Sequence, residues 1–77
     1  MQGIVAEIDY VKLTIVVEHL VDRVNQKIKV TANRDTHIFC VDNIWEFTDL
    51  IVGDRITVTY RDNQAGIPIA LSVSVEL

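Results

Sequence analysis

The residues best equipped for chemistry crowd into one decapeptide, THIFCVDNIW (36–45), which holds one of the two histidines, the single cysteine and the single tryptophan. Imidazole and thiolate are metal ligands, and an indole offers a flat face to a ligand. In an extended strand, however, side chains three apart point to opposite faces, so His37 and Cys40 reach one ion only across a bulge. The plainer expectation is that Cys40 shares a buried face with Ile38 as a core filler, and that His37 is a solvated histidine on the other face. No metal ligand set and no cofactor are expected. Trp45 is expected to plug an end of the fold, the alternative being display to a ligand, and Trp45, Phe47 and His37 are the candidate ligand-binding residues.

Elsewhere the chemistry thins out. His19 follows the second apolar run with no other histidine near it in sequence, and reads as an isolated surface group. The paired carboxylates Glu7 with Asp9, and Asp49 with Asp54, fall on polar turns, where capping is their usual work. A catalytic carboxylate needs burial or a close partner to move its pKa. Ser72 and Ser74 have no histidine nearby in sequence and no nucleophile elbow around them, and no glycine-rich phosphate loop is present. An enzyme is not expected.

The elements that carry these residues are strands. Val, Ile and Thr dominate a chain of 77 residues with three glycines and one proline, and such side chains suit pleated surfaces better than helices. From Gly3 to Asp9, Ile4, Ala6 and Ile8 alternate with Val5, Glu7 and Asp9, the period of a strand with one buried face. After a break near Asp9 and Tyr10, Leu13, Ile15 and Val17 alternate with Thr14, Val16 and Glu18, completing a hairpin. A turn centred on Asp22 and Arg23 leads to a third strand, where Val24, Ile28, Val30 and Ala32 share a face.

Asn33, Arg34 and Asp35 then make a turn, because Asn and Asp side chains bond to nearby backbone. A short fourth strand runs from Thr36 to Val41. IWEFTDLIVGD alternates poorly, and its Trp45, Phe47 and Leu50 suit a loop or one helical turn lying across a barrel mouth. Beyond Gly53, Ile56, Val58 and Tyr60 form the inward side of a fifth strand. RDNQAG is a polar hairpin loop, and Ile67, Ile69, Leu71, Val73 and Val75 form one face of the last strand, with Pro68 tolerated near its start. The prediction is an all-β fold, a small five- or six-stranded closed or partly open barrel of OB-like type, occupying residues 1–77 as a single domain.

Charge narrows the partners. The formal net charge is −4, and the seven basic residues are scattered among acidic ones. Phosphate neutralisation calls for a clustered positive stripe, so nucleic acid and anionic membranes are disfavoured. One cysteine leaves both redox compartments open. No basic segment followed by an apolar core and no membrane-spanning run is evident; the compartment is expected to be cytosolic, or periplasmic or extracellular if a leader was removed. Pairing between copies is also expected, since Val5, Val16 and Phe39 fall on nominally outward faces and an open edge would cover them.

The opening GIVAEID, then LTIVV, KIKVTANRDTHI, FTDLIVGDRITVTY and IALSVSVEL together resemble a bacterial family of small β-barrel domains of unknown function, often exported. That resemblance implies a five-stranded OB-like barrel in which Leu50 anchors a turn, Gly53 makes the bend and Asp54 accepts backbone hydrogen bonds. More distantly, the strand order and the VGD turn are similar to the periplasmic copper-binding chaperones of the copper and silver efflux system. These hold Cu(I) with a histidine and two methionines under a tryptophan, which makes His37 and Trp45 the implied counterparts. Here the only methionine is Met1, and soft thioether ligands are what select Cu(I).

The function expected is therefore a non-catalytic binding or interaction module of a bacterial protein, with a protein, glycan or small molecule as ligand. The alternatives are a periplasmic copper-binding protein and a single-stranded nucleic-acid-binding OB fold using aromatics on the barrel face.

Overall fold

The computed structural model describes residues 1–62 and 66–76, the side chain of Leu20 excepted. Among them are seven strands: β1 (Gln2–Asp9), β2 (Thr14–Val21), β3 (Val24–Thr31), β4 (His37–Cys40), β5 (Asn43–Ile44), β6 (Arg55–Arg61) and β7 (Ile69–Glu76). A single 3₁₀ turn, Phe47–Asp49, lies between β5 and β6. The polar hairpin loop expected over 61–66 falls partly outside the described residues.

Five strands close a ring in the order β3-β2-β1-β6-β7, and β7 returns to β3. The closure is a parallel bridge between Thr31 and Ile69, with the Thr31 N–H donating to the Pro68 carbonyl at 2.9 Å. Pro68 thus serves the sheet through its C=O, the one backbone hydrogen-bonding group proline retains. Further along β7, β4 adds in parallel, His37 beside Ser72 through Cys40 beside Val75, and β5 pairs antiparallel with β4. The remaining pairs are antiparallel, so the all-β fold is a closed five-strand mixed barrel of OB-like type, as expected.

Local chemistry sets the turns. The Asp9 carboxylate accepts the N–H groups of Val11 and Lys12 at 2.9 and 3.0 Å, and those bonds, Lys12 first, hold its pKa below the ordinary carboxylate value. Asp22 and Arg23 form the two-residue link between β2 and β3 with φ of 51° and 65°, the left-handed geometry of a type I′ hairpin. Asn33 accepts from the Asp35 N–H, and Thr36 Oγ1 accepts from the Asn33 N–H. At the other end, Gly53 takes φ 99° and donates its N–H to Val5, while Asp54 Oδ2 accepts the Ile51 N–H at 3.0 Å. Leu50, fully buried, holds that turn onto the core.

The core is a continuous cluster that includes Val5, Ile15, Val17, Val30, Ile38, Leu50, Ile56, Val58, Val73 and Val75. Each such side chain contributes roughly 1.5–3 kcal/mol by leaving water. Ile15 and Val17 in β2, Val30 in β3 with Ala32 just beyond it, and Ile38 and Cys40 in β4 are buried as expected, while Thr14, on the other phase of β2, is buried as well.

Two strands depart from strict alternation. In β1, Val5 is 1% exposed and Ile4 is 45% exposed, the reverse of the expected phase. The pairing of β1 with β2 shifts between Val5 and Glu7, so Ala6 is an extra residue that lets Val5 and Ile8 both turn toward the core. Val5 is consequently not an outward residue available to an edge contact. In β7, Ala70, Val73 and Val75 are buried and Leu71 is 42% exposed. The pairing with β6 passes from Thr59 opposite Ser72 to Tyr60 opposite Ala70, which leaves Leu71 as the extra residue. Tyr60, beside that irregularity, is 37% exposed where an inward position is expected.

Candidate functional site

The histidine, thiol and indole of residues 36–45 do not assemble into one site. Cys40 is 3% exposed within the core, on the face that Ile38 shares. His37 is exposed at the start of β4. The turn after β4 sends Val41 into the left-handed region, φ 57°, and Trp45 returns to bond its N–H to the Ile38 carbonyl at 2.8 Å.

Trp45 and Phe47 are both partly buried and pack against the core cluster. Phe47 meets Tyr10 edge-on, ring centroids 6.0 Å apart, and the Tyr10 hydroxyl donates to the Leu50 carbonyl. The 3₁₀ turn between them is closed reciprocally, with Asp49 accepting the Glu46 N–H. Nowhere among the described residues do three His, Cys, Asp or Glu side chains gather where they could hold a metal ion.

A wider concavity lies on another part of the barrel. A groove of about 590 Å³ is lined from β1, β2, β3, β6 and β7, with Ile4, Ala6, Glu18, His19, Arg55 and Glu76 among its residues. Pairing register explains how positions so far apart in sequence meet. Arg55 stands opposite both Glu76 and Ile4, Ile4 opposite Glu18, and Glu18 opposite Lys27. One row therefore crosses five strands as Glu76, Arg55, Ile4, Glu18, Lys27, with an apolar residue at its centre and opposite charges on either side.

Backbone proximity shapes the same region. A Cβ placed on Gly3 would lie 2.6 Å from the Glu18 carbonyl oxygen and 2.6 Å from Val17 Cγ1, so only glycine lets β1 approach β2 this closely. The outer end of the row is pinned by Thr57, whose hydroxyl donates to Glu76 Oε1 at 3.3 Å.

His19 is the residue that reading the sequence misplaces. It is not an isolated surface group but is partly buried, and its Nε2 is fully enclosed with no hydrogen-bond partner among the described residues. Such an atom is costly to leave unsatisfied. The signal was present in the alternation itself, because Ile15, Val17 and His19 share one phase of β2. A smaller hollow of about 290 Å³ lies by Glu7, Asp9, Thr14 and Lys29; there the Asp9 carboxylate is already engaged with its own turn.

No protein-family model matches the chain, and no curated protein matches it. Solved structures do. A Cu(II)-bound tryptophan-to-alanine variant of CusF from Escherichia coli superposes with a TM-score of 0.72 at 16% identity, over 99% of this chain and 88% of that one. A crystal structure of CusF with Ag(I) gives 0.69 at 17% identity, over 96% of this chain and 91% of that one. At such identity the likeness is one of fold: this chain has the CusF-like, OB-like barrel.

Proposed function

We propose that this chain is a non-catalytic binding module, a single domain whose ligand site is the groove around Ile4 and Glu18. The observation that carries the reading is the register itself. Cross-strand pairing gathers Ile4 and Ala6 from β1 and the charges of Glu18, Arg55 and Glu76 from β2, β6 and β7 into one concavity, and a few placed polar groups of this kind fix the orientation of a small ligand. Trp45, Phe47 and His37 lie outside the lining of that groove, and their part in this reading is structural or solvent-facing.

Thermal unfolding against separate panels of amino acids and peptides, sugars, nucleotides and metal ions tests it. Ligand that binds only the folded state raises the midpoint with concentration. A panel with no concentration-dependent rise in any class would remove the proposal.

A second reading, metal handling, is favoured by the fold shared with the Cu(II)- and Ag(I)-bound CusF structures and by the unpartnered Nε2 of His19. The donor chemistry weighs against it. The two sulfurs belong to Cys40, sealed in the core, and Met1, so the chain offers a soft ion at most one accessible thioether beside its two imidazoles. Addition of Ag(I) separates the readings: unmoved ring resonances of both His19 and His37 eliminate metal handling. Nucleic acid ranks below both, given the net charge of −4.

A further inference from the structure

We infer that the groove selects a small zwitterion with an apolar body, of which a short peptide with free termini is the simplest case. The inference rests on the binding-module reading and names its ligand class. It follows from the order of side chains in the cross-strand row. Ile4 is 45% exposed at the middle, with Arg55 in register on β6 and Glu18 in register on β2. Adjacent strands are about 4.8 Å apart, so the backbones carrying the two charges are separated by roughly 10 Å across an apolar floor.

Each feature excludes a ligand class. A purely apolar molecule covering Ile4 and Ala6 would desolvate Arg55 and Glu18 without replacing their water. An anion without a cationic group meets Glu18 and Glu76 in the same lining, within a chain of net charge −4. A simple cation is drawn to Glu18 and Glu76 but leaves the Arg55 guanidinium and the apolar floor without a partner. A zwitterion satisfies both flanks: its carboxylate takes the planar fork of the Arg55 guanidinium, which pairs with carboxylates bidentately, and its ammonium lies on the Glu18 carboxylate. The side chain between covers Ile4 and Ala6.

The outer members of the row carry the opposite charges, Glu76 beside Arg55 and Lys27 beside Glu18, and a ligand competes with them for its two partners. Glu76 is held by the Thr57 hydroxyl, and Lys27 lies one strand beyond Glu18. His19 is not part of the charge recognition, since its Nε2 is enclosed.

The test is a titration of the isotope-labelled chain with glycyl-leucine, its N-acetyl form, its C-terminal amide and the doubly blocked form, read from backbone amide shifts. The expected result is saturable movement at Ile4, Glu18 and Arg55 with the free dipeptide, weakened about tenfold or more by either block, the scale of one lost charge-assisted bond. Glu18→Gln should abolish the preference for the free amine and leave the preference for the free acid; Arg55→Gln should do the converse. Both positions face solvent at least in part, and an unchanged amide pattern elsewhere certifies the fold of each variant.

Absence of saturable shifts in the millimolar range overturns the inference, as does equal binding of the doubly blocked form or retention of both preferences in either variant. If a sugar or nucleotide instead moves these same amides, the zwitterion falls and the binding module stands. Silence across every class removes both.

Discussion

The backbone of Gly3 passes so near that of Glu18 that a Cβ at position 3 would lie 2.6 Å from the Glu18 carbonyl oxygen. That contact is backbone against backbone and has no flexible side chain to yield. Gly3→Ala should therefore force β1 away from β2 and cost roughly 1–3 kcal/mol, the scale of overpacking. In a chain of this size each kcal/mol lowers the melting temperature by about 4–8 °C. An unchanged melting temperature would show that the strands separate freely.

Two left-handed turn positions carry side chains that glycine would relieve. Val41 adopts φ 57° and Arg23 φ 65°, and the left-handed region costs an L-residue roughly 1–2 kcal/mol. Val41 is also β-branched, which makes that conformation a marked outlier. Val41→Gly and Arg23→Gly should each raise stability by about 0.5–1 kcal/mol after the added chain entropy of glycine. Urea unfolding at fixed m-value reads the change, and destabilisation by both would refute the turn geometry.

Much of this architecture was open to a reader of the sequence, and the parts that were not share a cause. In β3 and β4, and in β2 from Ile15 onward, the buried residues follow simple alternation, and Asp22 with Arg23 announces its own turn. The inward faces of β1 and β7 were misassigned because Ala6 and Leu71 are extra residues opposite uninterrupted partners, and each reverses the phase on one side of itself. Nothing in a run such as GIVAEID or IALSVSVE marks where that reversal falls. The groove was invisible for a related reason: residues 4, 18, 55 and 76 become neighbours only through register. THIFCVDNIW drew attention by residue type, yet its buried members follow from alternation alone.

Leu50 and Ile44 offer a matched contrast in the segment that crosses the barrel end. Leu50 is 0% exposed and Ile44 is 92% exposed. Leu50→Ala should cost about 2–5 kcal/mol through lost burial and the cavity left behind, whereas Ile44→Ala should remain within about 0.5 kcal/mol of the parent. Comparable losses at both sites would mean that Ile44 is covered in solution, as pairing between copies through β5 would require, and sedimentation at several concentrations would then show a dimer.

Acid should loosen the first hairpin in a defined direction. The Asp9 pKa is lowered chiefly by the Lys12 N–H and next by that of Val11, so the folded state prefers the carboxylate. This contribution is complete above the unfolded pKa of about 4 and is lost as pH falls through the lower folded value. The stability gap between the parent and Asp9→Ala should accordingly narrow below about pH 4. A gap independent of pH, measured by urea unfolding from neutral to acid conditions, would show that the carboxylate is not the acceptor.

The proposed ligand site is the row Glu76, Arg55, Ile4, Glu18, and not the aromatic segment. Amide shift mapping with a broad fragment mixture addresses it most directly. The account predicts that perturbed amides concentrate at Ile4, Ala6, Glu18, His19 and Arg55. Perturbations gathered instead on His37, Trp45 and Phe47, with those five unmoved, would contradict it.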